Sequence, residues 1–550
     1  MATESDTRDV TTVFRNARIH TMDRRRPQAE ALAVRGGRLL AVGTDAEAAA
    51  AGRAARVVDL GGRTVVPGFV ESHCHYLMTG LTLRQADART PPNTTIADVQ
   101  GRIAEFARRL PRGQWILGWG YDDTLIAEAR ALSRQDLDAV APDHPVYVRH
   151  VSGHLSYANS AALRLAGLGR GARSPEGGHV VLDALGDPTG ELHERAAQAL
   201  VNRHIPPVEM PALRQALSDA LPLFARVGVT SIHDALVGMA GGLADFHAYQ
   251  AGVADGDLPL RATLFPAYTL SDHFMFHSGF GDEHLRLGPL KHVADGSIQG
   301  HTAALCDPYF DRPGLRGLQV LSDKELVDRF RDAHALGFQL ATHGNGDAAI
   351  EAILDAYETV LGEEPKPDHR FRIEHCQMAT EAQLDRMQRL GVMASFFAVH
   401  TYYWGDRHER LFLGPGRAHR IDPLASALGR EIHFALHSDC PVTPVAPLMS
   451  VWSAVNRVTR EGRVIGPEQR IAVGDALRAF TLDAAYLAFE DGIKGSLAPG
   501  KLADFVVLER DPLAVPLEDI RDIAVAQTVV GGEVVYADGA MTHTTKERTA

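Results

Sequence analysis

Three strand-like runs that each end in a metal-ligating residue constrain this chain more than any other feature. They are FQLATHGNGD (338–347), FRIEHCQ (371–377) and IHFALHSDCPV (432–442), and they deliver His343, His375 and Asp439. In each, an apolar run that reads as a buried parallel strand stops at His or Asp and gives way to polar or glycine residues. The first two lie about one strand plus one crossover helix apart, and the last two about twice that. An α/β barrel gathers residues from the C-terminal ends of different strands around one mouth, whereas an open doubly wound sheet would spread them out. Convergence of the three therefore predicts a (β/α)8 barrel.

Eight strand slots can be filled in order. The first is VVPGFVESHCHYLMTG (65–80), followed by VTSIHD (229–234), LRATLFPAY (260–268) and LGPLKHVADGS (287–297). Strands ending at His343 and His375 come next, then GVMASFF (391–397) and the strand ending at Asp439. Between them lie helical patterns such as 322–337, 347–362 and 379–391, and 212–228 reads as the helix entering the second strand. A barrel of about 250 residues leaves much of a 550-residue chain over. The reading assigns 67–490 to the barrel, with an inserted lobe at about 81–227, where the gap is too long for one crossover. Residues 1–66 and 491–550 hold β-rich runs with Gly-Gly turns, including ALAVRGGRLLAVG and VVGGEVVY. Each end is too short for a core alone, so one small β domain built from both termini is expected. The last ten residues, MTHTTKERTA, are polar and expected to fray.

In the first strand, His73 and His75 alternate with Cys74, so both imidazoles can face one cavity while the thiol turns away. Together with His343, His375 and Asp439 they make a nitrogen and oxygen set suited to zinc or another borderline divalent ion. Lys291 sits in the apolar frame GPLKHVADG, where a buried ammonium is costly. It either pairs with an acid such as Asp295 or reacts with carbon dioxide to give an anionic carbamate ligand. Glycine-flanked aromatic and acidic residues of the lobe, Trp119, Tyr121 and Asp122, read as pocket wall, with ordinary core packing as the competing account. His154 follows the apolar YVRHVSG at a turn. The aromatic stretch AVHTYYWGD (398–406) puts His400, Tyr402 and Trp404 forward as an apolar pocket for an aryl or alkyl group.

A formal net charge of -13 with no Lys/Arg block argues against a nucleic-acid surface. Four cysteines without a CxxC make neither a disulfide scaffold nor a redox motif, which favours the cytoplasm. No apolar run long enough for a membrane span and no N-terminal signal core is legible. A small-molecule substrate is the expected partner, and a homodimer the expected assembly.

The pieces PGFVESHCH, GWGYDD, RHVSGH, PTGELHE, KHVADGS, THGNGD, RIEHCQ and HSDCPV, with the closing GSLAPGKLADFVVLERDP, resemble the amidohydrolase superfamily, and within it the amidohydrolase-3, YtcJ-like branch. The resemblance implies a distorted (β/α)8 TIM barrel, a β domain from both termini and metal-dependent hydrolysis of a non-peptide C–N bond by metal-activated hydroxide. It implies that His73 and His75 bind one zinc ion, that His343 and His375 bind a second, and that carboxylated Lys291 bridges the two. Asp439 is implied as ligand and proton-transfer carboxylate, and His154, His301 and His400 are candidates to contact the carbonyl or leaving group. N-substituted formamide deformylases occur in this branch, so a small N-substituted amide or formamide is the expected substrate. A cyclic-amide hydrolase or deaminase is the alternative enzyme, and a catalytically silent metal-binding regulatory protein the non-enzyme one. The chain departs from the branch after the seventh strand, where SFFAVHTYYWGDR stands in place of a glutamine-containing segment.

Overall fold

A computed structural model describes residues 10–51 and 56–539. The polar end at 541–550 lies outside the described residues. The fold is an α/β barrel of the TIM type, made from two runs of parallel strands. One run joins Phe69–Cys74, Val229–Val237 and Arg261–Pro266, with Leu285–Leu287 added at its edge. The other runs through Leu290–Val293, Leu340–Gly344, Arg372–His375, Met393–Phe396 and Phe434–Leu436. At one seam a parallel bridge links Ala267 to Lys291. At the other, the Asp439 amide donates to the His73 carbonyl at 3.1 Å and the His75 amide to the Cys440 carbonyl at 2.7 Å. The eight expected strands are thus present in the expected order, and their C-terminal ends meet at one mouth.

Local sequence accounts for the helices that cover the strands. Asp323–Ala335 starts at a capping box, with the Ser322 side chain accepting from the Glu325 amide and Glu325 reaching back. Glu381–Leu390 repeats the device with Thr380 and Gln383, and stops where Gly391 takes φ 71°, a left-handed turn that lacks a Cβ penalty. Their apolar faces and that of Asp347–Glu363 close over the strands: Leu326, Phe330, Ile350, Leu354 and Leu384 join Leu290, Leu340, Ile373 and Phe396 in one continuous buried core. Each fully buried large apolar side chain contributes roughly 1.5–3 kcal/mol, so the covering helices hold the strand ends, and the residues on them, in place.

The chain's ends meet in a six-stranded sheet. Its order is Glu533–Ala537, Val525–Val530, Phe505–Leu508, Thr64–Pro67, Arg18–His20, Gln28–Ala29, with Phe505 opposite Pro67. A four-stranded sheet from residues 12–59 packs on it through Phe14, whose ring meets Phe505 edge-on at 5.0 Å. The Gly36-Gly37 and Gly531-Gly532 pairs, all at positive φ, turn tight hairpins as their sequences suggest. Gly61-Gly62 does not: Arg56–Asp59 and Thr64–Pro67 go to different sheets. A buried Arg261–Asp504 ion pair, at 2.6 Å and 3.0 Å, ties the barrel to this β unit.

The segment after the first barrel strand forms a lobe around a second six-stranded sheet. Its order is His179–Leu182, Pro188–His193, Leu155–Ala158, Val146–His150, Ile116–Tyr121, Ala86–Asp87. Parallel and antiparallel pairings are mixed in it, which is why no regular strand-helix alternation is legible there. No helix among the described residues is long and apolar enough to cross a membrane.

Candidate active site

His73, the last residue but one of its strand, points its Nε2 at the Asp439 carboxylate at 3.4 Å, and His75 does the same at 3.2 Å. What aims them is the other ring nitrogen. His73 Nδ1 meets the carboxylate of Glu374, and His75 Nδ1 donates to the Ala235 carbonyl at 2.8 Å. Such outer partners set the tautomer and orientation of a metal-binding imidazole. Cys74, between them, faces the opposite way, with its sulfur 3.6 Å from the His233 carbonyl.

His375 continues the cluster, its ring 4.8 Å from that of His73 and 4.5 Å from that of His343. His343 holds its Nε2 against the Gly296 carbonyl at 3.0 Å, fixed by the same kind of outer contact. Burial depresses the pKa of His343 and of His375 well below the ordinary imidazole value, so both present neutral rings. Burial opposes ionisation of Asp439, but His375, His73 and His75 around it hold its carboxyl well below the usual carboxylate range. Both His375 (φ 68°) and Asp439 (φ 52°) occupy left-handed backbone, a conformation uncommon for residues with a side chain and concentrated at functional sites.

The Lys291 amine is buried beside these groups and has no hydrogen-bond partner. Burial brings its pKa down to about 8, against the opposing pull of Glu374 and Asp439. Asp295, the acid that could have paired with it, instead accepts backbone N–H groups of Ala304, Asn345 and Gly346 at 2.9–3.0 Å. His73, His75, Lys291, His343, His375 and Asp439 all line a single cavity of about 780 Å³ roofed by the lobe.

His154 and Trp119 line the same cavity. The His154 ring lies 4.9 Å from His343, and its Nδ1 meets the buried Glu194 carboxylate at 2.8 Å. The other expected pocket residues are elsewhere. His301 turns its Nε2 to Asp311 at 3.1 Å and packs on Tyr309 and Phe412. Tyr121 donates to the Arg130 carbonyl at 2.6 Å inside the lobe's core, and Asp122 is spent on Arg407 at 2.8 Å and Thr124 at 2.6 Å. His400 is bonded to His408 at 2.7 Å and stacked on Trp404, while Tyr402 packs edge-on against Trp452. The reason is helical: His400–Arg407 rolls its aromatic residues into neighbouring cores with Phe397 and Val442, so none of the three lines the cavity.

Three partners of the site are not evident from local sequence. Glu374 and Arg372, both fully buried, face inward two residues apart on the sixth strand; Arg372 holds Glu374, and Glu374 holds His73. Charged residues at alternate positions of an otherwise buried strand, as in RIEH, are the signal that could have found them. Glu71, two residues before His73, bonds the Ser438 amide and hydroxyl at 2.8 Å and 2.9 Å, and burial raises its pKa to about 8. The thiols beside the candidate ligands are inert by environment, since burial pushes Cys440 up to about 12 and Cys74 and Cys376 well above the ordinary value.

Comparison with known proteins agrees with this architecture. The family described as "Amidohydrolase family" matches residues 56–536. The chain is 32% identical over 539 residues to the N-substituted formamide deformylase of Arthrobacter pascens, covering 95% of this chain and 97% of that one. It is 30% identical over 487 residues to a Bacillus subtilis (strain 168) protein that bears the name YtcJ, covering 87% and 90%. Among solved structures, an uncharacterized metal-dependent hydrolase from Pyrococcus horikoshii OT3 superposes with a TM-score of 0.74 at 24% identity, over 92% of this chain and 99% of that one. With its parallel barrel, its strand-end histidines and this family match over most of its length, the chain belongs to the amidohydrolase family and is a hydrolase.

Proposed function

We propose that the protein hydrolyses the C–N bond of a small N-substituted amide or formamide at the mouth of the barrel, using two zinc ions. The reading rests on one observation: six potential ligands from five different strands line a single cavity, with the Lys291 amine buried among them and unpartnered. Neutral imidazoles and a carboxylate are a donor set that fits zinc. His73, His75 and Asp439 would hold one ion, and His343 and His375 the other. Lys291 would serve both as a carbamate, formed when its amine adds carbon dioxide and releases a proton. When bound, such ions lower the pKa of water and polarise a carbonyl.

The chain's own residues do the rest. Asp439, ionised at neutral pH, takes a proton from the attacking water and returns it to the departing nitrogen. Glu374 and the Ala235 carbonyl keep His73 and His75 aimed while this happens. His154, braced by Glu194, contacts the acyl group or the leaving nitrogen. Met78, Leu81, Leu117, Ile205, Val208 and Met239 give the cavity apolar walls for an aryl or alkyl N-substituent and exclude water from it. The lobe thus selects the substrate and the barrel cleaves it. The similarity to a formamide deformylase supports a formyl acyl group. Four cysteines, all free, suit the reducing cytoplasm as the place of action.

The test is a panel of N-benzylformamide, N-acyl amino acids and cyclic amides offered to zinc-loaded protein, following release of formate or free amine. Open-chain amides are expected to turn over, formyl faster than acetyl. Turnover of cyclic amides alone would move the protein to the cyclic-amide hydrolases, and no turnover of any C–N substrate at full metal occupancy would overturn the reading.

A further inference from the structure

The lobe faces the cavity with more than apolar wall. Along its parallel strands Ile116–Tyr121 and Val146–His150, alternate residues share a face, and Leu117, Trp119, Tyr147 and Arg149 all line the cavity. Trp119 and Arg149 are direct cross-strand neighbours. Arg195, from the first turn of helix Glu194–Asn202, lines the cavity too.

These three side chains carry donors with no carboxylate partner on the protein: the Arg149 guanidinium lies 5.9 Å over the Tyr147 ring. The Trp119 indole N–H is buried with no acceptor, and the residue is only 8% exposed. Among the described residues no carboxylate lies within 4.0 Å of Arg149 or of Arg195. The one side-chain bond of Arg195 runs to the Met239 sulfur at 3.0 Å, a weak acceptor for a guanidinium. Glu194, the acid whose charge favours Arg195, is engaged with His154. Burial brings Arg195 down to about 10, against the pull of Glu194 and with a push from Arg149, so two cations are held near each other with only an acid already bonded to His154 beside them.

The cavity's other charged groups outside the hydrolytic cluster are either paired or, like Arg203, exposed to solvent. Arg329 pairs with Glu325 at 3.4 Å, Glu325 closes the capping box of its helix, and Arg203 donates to the Ala199 carbonyl at 3.2 Å. Glu176 is exposed at the rim. A chain of net charge -13 has therefore set two half-buried guanidinium groups that lack a carboxylate partner, and a buried N–H donor, around the approach to its hydrolytic residues.

We infer that Arg149, Arg195 and the Trp119 N–H form an anion subsite for a carboxylate on the amine half of the substrate, which is then an N-formyl or N-acyl amino acid rather than a neutral amide. The inference rests on the cavity being the amide-hydrolysing site proposed above. A carboxylate matches the planar guanidinium fork in two parallel bonds, and charge-assisted bonds of this kind are about twice as strong as neutral ones. Leaving the subsite empty keeps two half-buried cations without a carboxylate partner, so a substrate without the carboxylate is less well held.

The experiment compares N-formylphenylalanine with its decarboxylated analogue, N-formyl-2-phenylethylamine, on zinc-loaded protein. The acid is expected to have a kcat/KM higher by about 10- to 100-fold, mostly through KM. In Arg149→Met and Arg195→Met that ratio should fall, and in the double variant it should lie within about threefold of one. Thermal melting confirms which variants fold, and the wild-type ratio is informative by itself. In parallel, calorimetric titration of 3-phenylpropionate into zinc-loaded wild type and double variant reads the subsite without any hydrolysis. Equal kcat/KM for the two formamides in wild type, or a preference that persists in the folded double variant, overturns the subsite and leaves the amide reading standing. Binding of 3-phenylpropionate that is lost in the double variant, with no formamide or amide hydrolysed by wild type, overturns the amide reading and leaves the subsite standing.

Discussion

Replacing Glu374 with Gln separates what this residue does for the fold from what it does for the proposed ligand His73. Glu374 and Arg372 are both fully buried, and Arg372 also donates to the Ser72 carbonyl at 2.9 Å. A glutamine keeps the shape but leaves the guanidinium in the core without a counter-charge, which costs about 3–5 kcal/mol. It also presents an amide to His73 Nδ1, and loss of such an outer partner weakens metal affinity by about 10- to 100-fold. Burial opposes the charge on Glu374, but Arg372 and His73 hold its carboxyl well below the ordinary value of 4.5. The stabilisation is therefore complete above about pH 4.5 and is lost as pH falls through the lower folded value, so the gap between wild type and variant should narrow on acidification. Urea unfolding of metal-free protein measures the first effect without ligand linkage, and zinc content after dialysis against defined free zinc measures the second. Adding Arg372→Met to Glu374→Gln removes the orphaned cation, so the double variant should recover most of the stability and none of the zinc affinity. A single variant within about 0.5 kcal/mol of wild type, or a double variant that regains stability and zinc binding together, would refute this division of labour.

Asp439→Asn should keep the fold and most of the metal while kcat falls by about 10²–10⁴, because an amide cannot accept and return the proton; near-normal kcat at full occupancy would overturn the role assigned to Asp439. Protein grown with zinc and bicarbonate should carry near two metals per chain and extra density on the Lys291 amine in anomalous and electron-density maps, whereas one fully occupied metal beside an unmodified lysine would reject the two-ion reading. Burial raises the Asp422 carboxyl to about 7, partly offset by Arg457, so the folded state loses stability as pH rises from the ordinary carboxylate value of 3.8 through about 7. Asp422→Asn, at a left-handed position (φ 50°) that asparagine tolerates, should remove that loss and be more stable than wild type at pH 8 by on the order of 1–3 kcal/mol in urea unfolding.

The barrel and its candidate ligand positions are legible in the chain because the information is local. An apolar run that stops at His343, His375 or Asp439 says both that a buried strand is present and that its chemistry sits at its end, and the His73-Cys74-His75 alternation says which side chains share a face. The hairpins at Gly36-Gly37 and Gly531-Gly532 and the capping boxes at Ser322 and Thr380 are equally local, since each is set by the conformations open to a few neighbouring residues. Tertiary structure alone decided what surrounds those positions. Tyr121, Asp122, His400, Tyr402 and Trp404 have the composition of a pocket wall, yet the rotation of one helix and the curl of one sheet turn them into cores and ion pairs, while Trp119 stays at the cavity. Glu374 reaches His73 from a distant part of the chain, and Arg195 joins Arg149 from another element of the lobe. A side chain's propensity is a property of its neighbours in sequence, but its partner, its burial and therefore its charge state depend on groups that only the folded chain brings within a few ångströms.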